Sequence, residues 1–149
     1  MTQSVREGIM TALIQKIRDA GAAFSPPFSV DYATGTSTDT FPNVTILTEI
    51  DETQIELGTG LVGWRIIVPI NLECQAQAGS DAIAQAQAMR SAISQSIFAA
   101  NASLGAGWID TRPGDVAGAS VSADAPIELV QMRAIIDYAH QDFDPTLPA

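Results

Sequence analysis

Hydrophobic and polar positions change period several times along this chain. From Ser4 to Ala22, Val5, Ile9, Leu13, Ile17 and Ala20 recur at spacings of three and four, with Ile14 widening the stripe. That spacing predicts an amphipathic helix, ended by Gly21 and Ser25-Pro26-Pro27. At ~1.5 Å per residue it is roughly 28 Å long, enough to cover one face of a sheet. Between Trp64 and Cys74 the period drops to two: Trp64, Ile66, Val68, Ile70, Leu72 and Cys74 fall on one face. At ~3.3 Å per residue this strand spans roughly 36 Å, about twice the usual length. A turn over Gln75–Gly79 leads to a second helix, Ser80–Ala100, opened by Ser80 and Asp81, with Ile83, Ala86, Ile93, Ile97 and Ala100 expected toward the core.

The other segments are shorter. Phe28–Pro42, with its Thr34-Gly-Thr-Ser-Thr-Asp-Thr40 run, reads as an irregular excursion. Asn43–Ile50 alternates and reads as a strand, and Thr53–Leu57 as a short one. Trp108–Arg112 and Val116–Ser122 read as two strands around the turn Pro113-Gly114-Asp115. Val130, Met132, Ala134, Ile136 and Tyr138 share a face of a second long strand, Ile127–His140. Residues 141–149, polar and with two prolines, read as an extended C-terminal tail. The order predicts an α+β fold: a mostly antiparallel sheet of about five to six strands, packed by two main helices at about residues 4–22 and 80–100. Residues 1–149 read as one domain, long enough to bury roughly 70% of its unfolded surface.

Pro69 qualifies the long strand. It cannot donate a ladder hydrogen bond, so the strand is expected at a sheet edge, or bulged there. A long apolar edge is an aggregation hazard unless something pairs it, and another subunit is one way to do so.

Charge and cysteine narrow the classes. The net charge is −10 with a single lysine, Lys16. Gripping nucleic acid or an anionic membrane needs clustered Lys and Arg, so both are disfavoured. DNA passing close by is still allowed, because a negative wall repels the phosphate backbone and prevents sticking. A single cysteine, Cys74, excludes an intrachain disulfide framework. With no apolar signal segment at the N-terminus, synthesis in the cytoplasm is expected.

Candidate chemistry is thin. Gly58-Thr-Gly-Leu-Val-Gly63 matches G-x-G-x-x-G, but a strand follows where a dinucleotide site needs a helix, so it reads as a turn. His140, the only histidine, stands near Asp137, Asp142 and Asp144, and reads as a solvated strand end rather than a metal site. Cys74 has Glu73 beside it, which opposes thiolate formation, so it reads as structural. No catalytic, cofactor-binding or metal-ligating residue is assigned, no cofactor is implied, and an enzyme is not expected. Trp64 and Trp108 are core residues by default and interface anchors in the sharper reading.

The arrangement as a whole resembles a known family. Helix 1 starts near Val5-Arg6, Phe41-Pro42-Asn43-Val44 leads into a strand, and Trp64-Arg-Ile-Ile-Val-Pro-Ile70 precedes Ser80-Asp81-Ala82 and a long helix. A last strand runs Met132-Arg-Ala-Ile-Ile-Asp-Tyr138. From Val5 to Tyr138 this resembles the tail terminator (tail completion, minor tail protein U-like) proteins of tailed bacteriophages. The resemblance implies a structural virion protein, made in the host cytoplasm and placed in the tail or neck. It would form a hexameric ring on the head-proximal end of the tail tube, stop tube polymerisation and present the head-joining surface. Its implied partners are further copies of itself, the tail tube protein and the head–tail connector, with DNA passing through the lumen unbound and no membrane involved. Six copies would carry on the order of −60 charges, six times −10, which suits a DNA passage. Within that frame Trp64, Pro69, Trp108 and Phe143 are the expected subunit or tube contacts, and Asp51, Glu52 and Glu56 an acidic loop at the lumen or rim. The alternatives are another neck, connector or tube component, and, from a different class, a small-ligand or enzymatic α+β domain using the loop at residues 105–118.

Overall fold

The computed structural model describes residues 3–33, 42–48, 50–57, 61–75, 81–99, 102–120, 127–141 and 144–148. In chain order they form α1 (Val5–Ala23), β1 (Ser29–Ala33), β2 (Asn43–Leu47), β3 (Asp51–Ile55), β4 (Leu61–Gln75), α2 (Ala82–Ile97), β5 (Trp108–Pro113), β6 (Ala117–Ser120), β7 (Ile127–Gln141) and β8 (Asp144–Pro148). The class is α+β as the pattern predicts, and the sheet is antiparallel except for the β1–β2 pair. It has eight strands among the described residues rather than five to six.

The two alternating runs find each other. β4 and β7 pair antiparallel over their full 15 residues, from Leu61↔Gln141 to Gln75↔Ile127. Every other strand except β1 hangs on this ladder. β2 and β3 line the free side of β4, and β5, β6 and β8 line the free side of β7. β1 pairs only with β2. Alternation then assigns two faces. Ile66, Val68, Ile70, Leu72 and Cys74 of β4 and Val130, Met132, Ala134, Ile136 and Tyr138 of β7 are all buried in one cluster with the helices. Arg65, Ile67, Pro69, Asn71 and Glu73 turn to the opposite face.

Both helices lie on the apolar face. α1 begins with a capping box: Ser4 Oγ accepts from the Glu7 N–H at 3.1 Å, and the Glu7 carboxylate accepts from the Ser4 N–H at 3.4 Å. It buries Val5, Ile9, Met10, Leu13 and Ile17. At its end Gly21 lets β1 approach: a Cβ there would stand 2.7 Å from the Phe28 carbonyl oxygen. α2 is capped by Asp81, whose carboxylate accepts from the Ile83 and Ala84 N–H groups. Its buried stripe is Ala82, Ala86, Met89, Ile93 and Ile97. Ile83, expected in the core, is 58% exposed. At ~100° per residue it lies roughly 80° from the line through Ile93, where the stripe is centred, whereas Met89 lies within roughly 40° of it. The expected Ala100 lies outside the described residues.

Five further expectations are corrected. Ser29–Ala33, read as irregular, is a strand, because its parallel partner β2 supplies the ladder that its own sequence does not announce. β2 stops at Leu47, and β3 starts at Asp51, two residues before the predicted strand. Residues 105–118 are mostly β5, β6 and their flanking turns, not a loop. The C-terminal residues do not trail away: β8 folds back on β7, with His140↔Pro148 and Gln141↔Asp144 in register. Finally, β4 is no edge; it is paired on both sides.

Pro69 is accommodated by a gap. β2 accompanies β4 over Ile70–Glu73 and β3 accompanies it over Gly63–Ile67, so neither borders Pro69. On the other side Pro69 stands opposite Arg133, whose carbonyl accepts from the Gly114 N–H at 3.0 Å, away from β4. In an antiparallel ladder a residue's N–H and C=O point the same way, so Pro69 and Arg133 form a non-hydrogen-bonded pair. The Pro69 nitrogen therefore faces the gap between β2 and β3, where no bond is lost. A proline in a central strand is tolerated because its neighbour strand is in two pieces.

This packing separates two substitutions. Leu13→Ala, at a fully buried position, should lower unfolding free energy by about 2–5 kcal/mol. Ile83→Ala should change it by less than about 0.5 kcal/mol. Urea denaturation of both variants checks the placement of the α2 stripe.

Candidate functional site

The sheet carries its polar clusters where β3, β4, β7 and β5 run side by side. Trp64, Tyr138 and Trp108 occupy adjacent positions across β4, β7 and β5, all on the helix-covered face. Trp64 Nε1 donates to His140 Nε2 at 2.9 Å. That nitrogen therefore accepts in this contact. The two rings stack, with centroids 6.3 Å apart. Trp108 Nε1 donates to Thr111 Oγ1 at 2.7 Å. Both tryptophans are half-buried and pack against the core, which is the default reading of these residues.

Beside them Tyr138 Oη donates to Glu52 Oε1 at 2.5 Å, and Arg6 Nη1 reaches Glu52 Oε2 at 2.9 Å. This ties β7 to β3 and β3 to α1. Burial and then the Glu52 carboxylate push the Tyr138 phenol far above its ordinary value, so it stays a neutral donor. Glu52 is thus not a free member of an acidic loop: it turns toward the helices from within a strand. Asp51, Glu52 and Glu56 are all exposed. Arg6, Glu52, Trp64, Tyr138 and His140, with Ser4 and Pro145, line an open cleft of about 260 Å³. Their polar contacts hold strands together, and a larger cleft of about 600 Å³ runs along α1 between Met10, Ile14 and Tyr32.

The opposite face has its own ionic cluster. Arg65 Nε and Nη2 donate to the two carboxylate oxygens of Asp137 at 2.9 and 3.2 Å. Arg112 Nη1 reaches Asp137 at 3.1 Å and Asp110 at 3.1 Å. Burial of Asp137 works against its charged form, but the hydrogen bonds from Arg65 and Arg112 outweigh it and hold the carboxyl below its ordinary range.

Cys74 is buried with its thiol 3.2 Å from the Met89 sulfur. Burial, and then the Glu128 carboxylate, push that thiol up to about 11, so at neutral pH it is protonated and unreactive. Among the described residues no three of His, Cys, Asp and Glu converge as a metal would require.

Of the expected contact residues, the structure brings Trp64 and Trp108 to the same end of the sheet, around Tyr138. It places Pro69 elsewhere, at the centre of the ladder, and Phe143 lies outside the described residues. His140 is no solvated strand end, since Trp64 engages it. Arg6, Arg65, Arg112, Asp137 and Tyr138 were missed as a set. Each lies 46 or more residues from a partner in this network, except Arg112, which is 25 from Asp137. Only the strand register joins them, and no local spacing announces it.

No protein-family model matches this chain, and no curated protein does. Among solved structures, its fold is similar to that of a chain in the virion of a native gene transfer agent (GTA) particle. The TM-score is 0.59 at 19% identity, over 87% of this chain and 97% of that one. At that identity the likeness is one of fold.

The Asp137 cluster sets an acid response. Its carboxyl ionises more readily folded than unfolded, where the value is near 3.8. The stability it contributes is therefore complete above that value and is lost as pH falls through the lower, folded one. Asp137→Asn should lower the urea midpoint at pH 7 and flatten its decline below about pH 4. Midpoints measured from pH 6 down to pH 2 for both proteins give the comparison.

Proposed function

We propose that this chain is a structural protein of a tailed-phage-type virion, acting as a ring that caps the head-proximal end of the tail tube. In that role it ends tube polymerisation and offers the surface to which the filled head is joined. The tube protein, the connector and further copies of the chain are its partners, and DNA passes its acidic surface without binding.

The observation that carries this reading is the fold likeness to a virion chain, which spans nearly the whole of both molecules. The family resemblance of the sequence from Val5 to Tyr138 points the same way. The chemistry agrees: the described polar clusters join strands to strands and to α1, the one thiol is protonated at neutral pH, and the net charge of −10 disfavours adhesion to DNA. A tube or neck component is the second reading, because the likeness is to a virion and not to a stated part of one.

Particles assembled without this chain should carry tails of uncontrolled length that fail to join heads, seen by electron microscopy. Normal tails would overturn the proposal. Light scattering of the purified chain separates the second reading: filaments that lengthen with concentration favour a tube protein, and a closed ring or a monomer favours the cap.

A further inference from the structure

Among the described residues, strand register leaves two sheet edges unpaired at the same height on opposite sides of the sheet. Following pairs across the sheet gives the row Asp51–Ile67–Ile135–Arg112 and, two residues on, Thr53–Arg65–Asp137–Asp110. Between them runs Glu52–Ile66–Ile136–Thr111 on the other face. Among the described residues β3 pairs only with β4 and β5 only with β7, so each has a free outer side. Such edges recruit further strands unless something opposes it.

We propose that β3 of one copy pairs with the outer side of β5 of the next, so that the sheet continues from subunit to subunit. The inference rests on the ring reading and names its contact. Three observations carry it. The first is polarity: β3 runs antiparallel to β4, β4 to β7 and β7 to β5, so β3 and β5 run in opposite directions. A neighbour in the same orientation therefore meets β3 in antiparallel fashion. The second is charge. When the rows continue unshifted into the neighbour, Asp51, which is exposed, stands beside the neighbour's Arg112, whose guanidinium also holds its own Asp110 and Asp137, on the same face and at the same height. Opposite charges directly across strands attract, whereas two copies of β3 overlapping antiparallel would set Asp51 opposite Ile55 and Glu52 opposite Gln54, with no opposite charge to meet. Pairing of unlike edges is thereby favoured over pairing of like ones. The third is symmetry: an interface made of two different patches repeats head to tail and closes into a ring when the rotation allows. β1 lies beyond β2 on the same side, past the Pro69 gap. The contact is therefore confined to the β3 half of the ladder, and it requires the neighbour's β6 end to diverge from β1, which stands in the same column of the sheet.

The test uses the full chain. Asp51→Lys alters an exposed side chain and puts a cation opposite Arg112, so the concentration at which half the chains assemble should rise about tenfold or more. The urea midpoint should stay unchanged. In a second variant, Thr53→Cys with Asp110→Cys, mild oxidation should link neighbours into a ladder of covalent oligomers on a denaturing gel; the one native thiol, Cys74, is buried. Assembly insensitive to Asp51→Lys, with no cross-linked ladder, overturns the edge pairing and leaves the ring reading standing. A wild-type chain that remains monomeric at every concentration also overturns the edge pairing. The cap reading is decided apart from this, by tail length.

Discussion

The antiparallel union of β4 and β7 is the constraint on which the molecule depends. Two strands of 15 residues share one register, and that register decides every other placement. It puts ten buried apolar side chains on one face, where α1 and α2 close over them. It also aligns β3 with β5 and β2 with β6 on opposite flanks. A slip of one residue would turn the apolar set to solvent, so burial itself specifies the pairing.

Polar side chains reinforce the same ladder. On one face Tyr138 and Arg6 share Glu52, and Trp64 leans on His140. On the other, Arg65 and Arg112 share Asp137. Each group joins two or three elements that are distant in sequence. Long-range ties of this kind hold the two flanks of the sheet at a fixed height relative to each other. In the proposed assembly that rigidity matters, because the geometry of a repeated contact is multiplied around a ring.

Pro69 illustrates how local rules and global arrangement interact. A proline excludes one hydrogen bond, and that exclusion holds in the structure. The inference that the whole strand must be an edge does not. The exclusion is local to one nitrogen, and a break between β2 and β3 satisfies it without exposing the strand. Ile83 makes a parallel point: it is apolar, and it lies near the buried stripe, yet an angular offset of roughly 80° leaves it in solvent.

Periodicity in the sequence alone determined the helices, the two long strands and the faces they bury, because a helical or extended backbone fixes where successive side chains point. Val130 to Tyr138 and Ile66 to Cys74 are buried as the alternation requires. Charge and the isolated cysteine constrained what the surface and chemistry can be. Strand order, the parallel β1, the returning β8 and the ionic clusters were decided only in the tertiary structure. Those features depend on which residue of one strand stands opposite which residue of another. Pairing partners here lie as many as 80 positions apart, as Leu61 and Gln141 do, and no local pattern records such a choice. The free energy that selects it comes from the core formed when β4, β7 and both helices are already together.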